Sequence, residues 1–118
     1  GDALEWMKRL AKRGDRHDLV ILDPPTFSRS KQSGVFLAKR DYGSLTKAAV
    51  PLVRNGGMLL ACCNAAGLSN AKFREEVRRG IRASGRKIVG AFLAMQPPDF
   101  PVTKTEPAYL KVSWLRLD

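Results

Sequence analysis

Apolar and polar positions follow two periods along the chain, and together they predict three helices and four strands. Residues 2–13 place apolar side chains at helical spacing on one face, which predicts an amphipathic helix that Gly14 ends. Residues 18–23 form a short continuous apolar run between two aspartates, which is typical of a parallel strand buried on both faces. The two prolines that follow, Pro24 and Pro25, end this strand at once.

The middle of the chain repeats this order of helix and strand. Residues 26–35 are polar and predict a flexible connection. Residues 37–54 then predict a helix, in which Pro51 introduces a kink or a short break. A turn at residues 55–57 leads into a second buried strand over residues 57–63.

The last third of the chain predicts one more helix and two strands. Ser69 is a good N-cap for a helix over residues 70–84, which carries its basic side chains on the outward face. Residues 87–95 predict a third strand, and residues 108–117 predict a fourth in which polar and apolar side chains alternate. Helical connections make the first three strands parallel, and the direct connection predicts that the last two are antiparallel. The fold class is therefore α/β.

Composition and cysteine usage narrow the class of protein. The 118 residues make one ordinary domain or part of a larger one, and 44% hydrophobic with 27% charged residues is typical of a globular chain. No apolar run approaches the roughly 18 residues that span a bilayer, and a soluble cytoplasmic protein is expected. Cys62 and Cys63 are adjacent, which argues against a disulfide framework. With His17 as the single histidine, no spaced ligand cluster predicts a metal site.

The charge balance points to the kind of partner. Lysine and arginine number 21 and aspartate and glutamate 11, so the net charge is 21 − 11 = +10. A domain this basic usually binds a polyanion, most often nucleic acid. The alternative is a basic surface that serves solubility alone.

The strongest local signal for chemistry is the segment over residues 23–27, directly after the first strand. Ligands of open α/β sheets bind at the carboxyl ends of strands. Asp23 can accept hydrogen bonds there, Pro24 and Pro25 fix backbone carbonyls toward the cleft, and Phe27 can stack on a flat ring. These features would hold a base extruded from its stack. The alternative is a turn that ends a strand and buries a phenylalanine.

The ordered set of motifs resembles the class I S-adenosylmethionine-dependent methyltransferases. Residues 23–27 resemble their motif IV, and residues 52–60 resemble the helix, turn and strand around their fifth strand. Further matching positions narrow the resemblance to the large-subunit ribosomal RNA methyltransferases, including the cytosine-C5 enzymes: Ser28, Lys31, Arg40, Tyr42 and Tyr109-Leu110-Lys111. The resemblance covers nearly the whole chain. It implies part of a Rossmann-like sheet, with three parallel strands, an antiparallel last strand and helices on both faces.

The same resemblance implies S-adenosylmethionine as the cofactor and RNA, in particular ribosomal RNA, as the partner. Asp2 and Ala3 resemble motif III, whose acid contacts the adenine, and Asp23 with the Pro24 carbonyl would orient base and cofactor. The family's glycine-rich turn and ribose-binding acid are not in this sequence. Residues 1–118 are therefore expected to be the C-terminal half of the catalytic domain and to be inactive alone. The open sheet edge would be covered by the N-terminal half or by a dimer partner.

The residues after the second strand leave the target base open. Cytosine-C5 chemistry needs a cysteine thiolate that adds to the ring. Alignment from one side places Asn64 at the position of that cysteine, and alignment from the other side places Ala65 there. Cys63 lies one residue early, and a related guanine-modifying group carries asparagine here, which fits Asn64. Cys63 is thus either a candidate nucleophile or a small packed side chain.

Basic side chains near the proposed base pocket are candidate phosphate contacts. With Phe27 and Asn64 they complete the candidate substrate-binding set: Arg29, Lys31, Lys39 and Arg40. The arginines of the third helix are expected to form a solvated face. Two other functions stay open, namely a non-enzymatic nucleic-acid-binding module of the same fold and a methyltransferase with a protein or small-molecule substrate.

Overall fold

A computed structural model describes residues 3–24, 27–30, 34–65, 67–92 and 110–118. In chain order its elements are α1 (Ala3–Lys12), β1 (His17–Leu22), β2 (Phe27–Ser30), β3 (Gly34–Leu37), α2 (Ala38–Ala49), a 3-10 turn (Val50–Leu52), β4 (Val53–Cys63), α3 (Asn70–Ala83), β5 (Ile88–Phe92) and β6 (Lys111–Leu117). The three predicted helices and four predicted strands are all present.

The main sheet has the strand order β1-β4-β6-β5. β1 pairs with β4 in parallel, and β6 pairs antiparallel with both β4 and β5. β1, β4 and β5 therefore point the same way, and β6 lies between the last two of them. The α/β class with three parallel strands and an antiparallel last strand is confirmed.

Local sequence signals explain where the helices end. The Ser69 hydroxyl accepts a hydrogen bond from the Lys72 amide at 3.1 Å and caps α3, as predicted. Gly85 has φ +75°, the left-handed conformation in which glycine commonly ends a helix. α2 is shorter than predicted, because the chain tightens into the 3-10 turn around Pro51, which has no N–H to donate.

The predicted turn at residues 55–57 lies inside β4 instead of before it. The pairing of β1 with β4 moves from His17 with Val53 to Leu19 with Met58, so several residues of β4 bulge out of the ladder. Gly56 has φ +81°, which a side chain would strain. The glycines thus shape a bulge at the amino end of the strand.

All three helices pack on one face of the sheet. Alternate residues of β4 are buried beneath α2 and α3, and Leu4 and Met7 of α1 pack against the same core. The second layer of helices that the resemblance implies is not found among the described residues. Right-handed crossovers explain this arrangement, because the steps from β1 to β4 and from β4 to β5 advance in the same direction across the sheet.

The opposite face of the sheet is apolar and open in the described structure. Ile21 pairs with Leu60, Leu60 pairs with Trp114, and Trp114 pairs with Phe92, so one apolar row crosses all four strands. Ile21 is 57% exposed and Phe92 is 52% exposed. The prediction that the first strand is buried on both faces is therefore wrong for this chain. β1 also forms one edge of the sheet.

A small second sheet occupies the connection between β1 and α2. β2 and β3 pair antiparallel, from Phe27 with Leu37 to Ser30 with Gly34. The prediction of a flexible connection over residues 26–35 is wrong for these two strands.

Candidate functional site

Two parallel strands end side by side at the carboxyl edge of the main sheet. The last paired residues of β1 and β4 are Leu22 and Ala61. Asp23 follows β1 and Asn64 follows β4, and both side chains are exposed. The structure thus places two predicted site residues, a carboxylate and an amide, on adjacent strand ends. Pro24 continues from Asp23 and is half-buried.

A buried tyrosine joins these two strand ends from the helical side of the sheet. Tyr42 of α2 is fully buried, and its hydroxyl donates to the backbone carbonyl of Cys62 at 2.6 Å. The same hydroxyl lies 3.4 Å from the carbonyl oxygen of Leu22. Its ring packs edge-on against Phe73 of α3, with ring centroids 5.1 Å apart. Tyr42 is one of the positions that carry the family resemblance, but the sequence gives no role for it.

A buried lysine supports the loop after β4. Lys111 opens β6 on the helical side of the sheet and is only 7% exposed. Its Nζ donates to the carbonyl of Ala65 at 2.5 Å. That carbonyl also accepts from the Leu68 amide at 3.3 Å, so it anchors the loop that carries Asn64. The alternating pattern of this strand gives no signal of an inward lysine.

The two cysteines lie on opposite faces of the sheet. Cys63 is 0% exposed and belongs to the core beneath the helices. Cys62 is half-buried on the other face. Burial, with the charges of Asp23 and Cys63, raises the pKa of the Cys62 thiol. A raised pKa keeps this sulfur protonated and less nucleophilic near neutral pH.

Arg40 lies in the first turn of α2 and is exposed. Its guanidinium donates to Asp41 in a bidentate pair, with Nε to Oδ1 at 2.8 Å and Nη2 to Oδ2 at 2.7 Å. The hydrogen bond and the charge of Asp41 raise the pKa of Arg40. The arginine is thus held in a defined orientation at the start of the helix that follows the small sheet.

Several predicted site residues lie outside what the structure describes. Asp2, Pro25 and Lys31 are not among the described residues. The backbone, but not the side chain, is described for four others: Ala3 in α1, Phe27 and Arg29 in β2, and Lys39 in α2.

The basic face of α3 is mostly solvated, apart from one ion-pair cluster. Glu76 is buried, and it lies 2.6 Å from Arg79 Nη2 and 3.4 Å from Lys72 Nζ. Burial favours a higher pKa for Glu76, but the hydrogen bond and charge of Arg79, with those of Lys72, outweigh it and lower the pKa. The remaining arginines of this helix are exposed: Arg74, Arg78 and Arg82.

The described residues contain neither of two other kinds of feature, a metal-ligand cluster or a membrane-spanning helix. Among them, no three histidine, cysteine or acidic side chains come together as a metal site would require. None of the helices in the described part of the chain has the length and apolarity to cross a membrane.

Comparison with known proteins identifies the family. A family model for S-adenosylmethionine-dependent methyltransferases matches residues 3–116. The chain is 33% identical over 119 residues to a ribosomal RNA large subunit methyltransferase of Deinococcus radiodurans, which covers 99% of the chain and 28% of that protein. It is also 45% identical over 64 residues to ribosomal RNA large subunit methyltransferase K/L of Methylococcus capsulatus, over 53% of the chain and 9% of that protein.

Solved structures agree with this result. A crystal structure of a methyltransferase complexed with SAH superposes with a TM-score of 0.77 and 25% identity, over 98% of the chain and 30% of that protein. The chain therefore spans less than a third of the length of the Deinococcus radiodurans relative and of this solved structure. Since the family model matches residues 3–116 and the fold agrees with a solved structure of the same class, this chain belongs to the S-adenosylmethionine-dependent methyltransferases.

Proposed function

We propose that this chain is the C-terminal half of the catalytic domain of a cytoplasmic methyltransferase that transfers a methyl group from S-adenosylmethionine to a base of ribosomal RNA. The observation that carries the proposal is the pair of exposed polar side chains, Asp23 and Asn64, on adjacent strand ends held by buried donors. The names of the relatives and the net charge of +10 support RNA as the substrate.

The described residues offer polar groups that could contact one side of the cofactor and base. S-adenosylmethionine supplies an activated methyl group when it is bound. The exposed Asp23 carboxylate and the Pro24 carbonyl can accept hydrogen bonds from polar edges of base and cofactor at the strand end. Asn64 can donate and accept from the neighbouring strand. Most of the acceleration comes from holding the two reactants in line.

Other residues of the site have proposed roles that follow from their chemistry and position or, for Asp2 and Ala3, from the resemblance. Pro25 stiffens the motif, Phe27 stacks on the base, and Asp2 and Ala3 contact the adenine. Phosphate contacts come from the basic residues that precede or begin α2: Arg29, Lys31, Lys39 and Arg40. The defined orientation of Arg40 on Asp41 supports such a contact, since part of its guanidinium stays exposed.

We assign Cys63 to packing. Its side chain is fully buried on the helical face of the sheet. A nucleophile that adds to a base must reach that base at the open end of the strands. Asn64, one residue later and exposed, is the better candidate for a contact with the substrate.

The open face and the β1 edge require a cover in the active protein. A row of exposed apolar side chains is costly in water and marks a contact surface. We propose that the N-terminal half of the catalytic domain covers it, with a second copy of the chain as the alternative. The isolated chain then binds S-adenosylmethionine weakly.

Methyl transfer to unmethylated ribosomal RNA, measured with labelled cofactor, tests the function in the complete protein. Asp23→Asn is expected to lower kcat about 100-fold, because the oriented carboxylate is lost. Asp18→Asn is the matched control, since Asp18 is an exposed aspartate at the other end of β1. This variant is expected to stay within about twofold of wild type.

Two outcomes would overturn the proposal. Equal rates of methyl transfer by Asp23→Asn and wild type would show that the strand-end site does not carry the reaction. Binding of RNA by the wild type with no transfer to any RNA would favour the non-enzymatic binding module.

A further inference from the structure

The hydroxyl of Tyr42 lies where the two strands of the site part from each other. The last register pair of β1 and β4 is Leu22 with Ala61. The hydroxyl bonds to the carbonyl of Cys62, one residue beyond that pair, and lies 3.4 Å from the carbonyl of Leu22. A single buried group therefore joins the strand ends just before Asp23 and Asn64.

The surroundings of Tyr42 hold this hydroxyl in place. The residue is fully buried, and its ring contacts Phe73 at 5.1 Å with an interplanar angle of 79°. The backbone carbonyl of Tyr42 accepts from the Thr46 hydroxyl at 2.9 Å, but this bond lies within α2 and does not reach the phenol or the strand ends. Burial raises the pKa of the phenol far above its ordinary value, so the hydroxyl remains a donor at physiological pH.

We propose that Tyr42 is a positioning residue, which sets the spacing between Asp23 on the loop after β1 and Asn64 on the loop after β4. This inference rests on the proposed function. The phenol does not touch base or cofactor; it acts through the two strand ends. A shift of about 1 Å between groups that align a substrate can cost roughly 100-fold in rate, so a bond at this junction affects turnover.

The test compares Tyr42→Phe with Thr46→Val in the complete protein. Each variant removes one buried hydroxyl from α2 and keeps the shape of the side chain, but only the Tyr42 hydroxyl reaches the strand ends. Tyr42→Phe is expected to lower kcat about 10-fold, with the KM for RNA within about twofold of wild type. Thr46→Val is expected to keep kcat within about twofold.

Hydrogen exchange of the same proteins gives a readout that does not depend on turnover. Peptides that cover residues 18–24 and 58–65 are expected to exchange about 10-fold faster in Tyr42→Phe than in Thr46→Val, since only the first loses the tie between strand ends. Unchanged kcat or unchanged exchange in Tyr42→Phe would overturn the inference. If the wild type transfers no methyl group, the proposed function fails. The exchange experiment still tests the bond between the strand ends in that case, because equal exchange rates in Tyr42→Phe and Thr46→Val would show that Tyr42 does not join them.

Discussion

The two ends of the main sheet are held by different side-chain donors. At the amino end, the guanidinium of Arg86 bonds to several backbone segments at once. At the carboxyl end, Tyr42 and Lys111 each bond to a different backbone carbonyl. Arg86 donates to the carbonyls of Val53 at 2.7 Å, Val50 at 3.1 Å, and Arg54 and Asp118 at 3.2 Å. This cluster joins the 3-10 turn, the start of β4 and the residue after β6.

The difference lies in what the donors at each end support. At the amino end, the four bonds of Arg86 all go to main-chain carbonyls, so this guanidinium ties backbone to backbone. At the carboxyl end, the buried Tyr42 and Lys111 bond to backbone carbonyls next to the strand ends. The side chains of Asp23 and Asn64 at those strand ends remain exposed. One end thus serves the stability of the fold, and the other supports a surface where polar groups can act.

Removing Arg86 should have the largest effect on stability. Arg86→Met is expected to lower the free energy of unfolding by about 3 kcal/mol, because half-buried carbonyls lose a charged donor. Urea unfolding of the chain measures this loss. Arg82→Met, a matched change at an exposed arginine four residues earlier, is expected to cost under about 0.5 kcal/mol. Equal losses in the two variants would contradict a clamp at the amino end.

The second-largest expected effect is a loss of the stability contributed by Tyr42 at alkaline pH. The pKa of Tyr42 is raised in the folded state, so its stabilising effect is complete below the unfolded value of 10.0 and is lost as pH rises above it. The advantage of wild type over Tyr42→Phe should therefore shrink above pH 10, by at most about 1.4 kcal/mol per pH unit. Urea midpoints measured from pH 8 to pH 11 test this, and a constant difference would contradict it.

Lys111 should have the smallest effect on stability and a local effect on the site. Lys111→Met keeps the apolar stem of the side chain. It is expected to lower the free energy of unfolding by about 1 kcal/mol, because the bond to the Ala65 carbonyl is lost. The Leu68 amide, which shares that carbonyl, should exchange several-fold faster. Lys87→Met, at an exposed lysine, is the control. Unchanged exchange at Leu68 would show that Lys111 does not support the loop.

Features set by neighbouring residues could be predicted from the sequence. The Ser69 cap and the ends of α1 and α3 depend on side chains within a few positions of each other. The strand-end location of Asp23 follows from the general behaviour of parallel strands. The bonds that shape the two ends of the sheet could not be predicted, because their partners are distant in sequence: 20 positions for Tyr42, 46 for Lys111 and up to 36 for Arg86.

Two further misses have separate physical causes. The apolar run of β1 indicates that both faces of this strand could be buried. The run carries no information on which part of the protein covers each face, and Ile21 is exposed in this structure. The pairing of β2 with β3 could not be predicted because Phe27–Ser30 is short and three of its four residues are polar. Its apolar partner strand, Gly34–Leu37, lies beside a segment that reads as a helix start.

The apolar row on the open face contains its own optical probe. Trp114 lies half-buried in the middle of that row, between Leu60 and Phe92. The other tryptophan, Trp6, is on α1 at the helical side and can be replaced by phenylalanine. Indole emission moves to shorter wavelength when water is excluded from the ring, so the fluorescence of Trp114 directly reports when the face becomes covered.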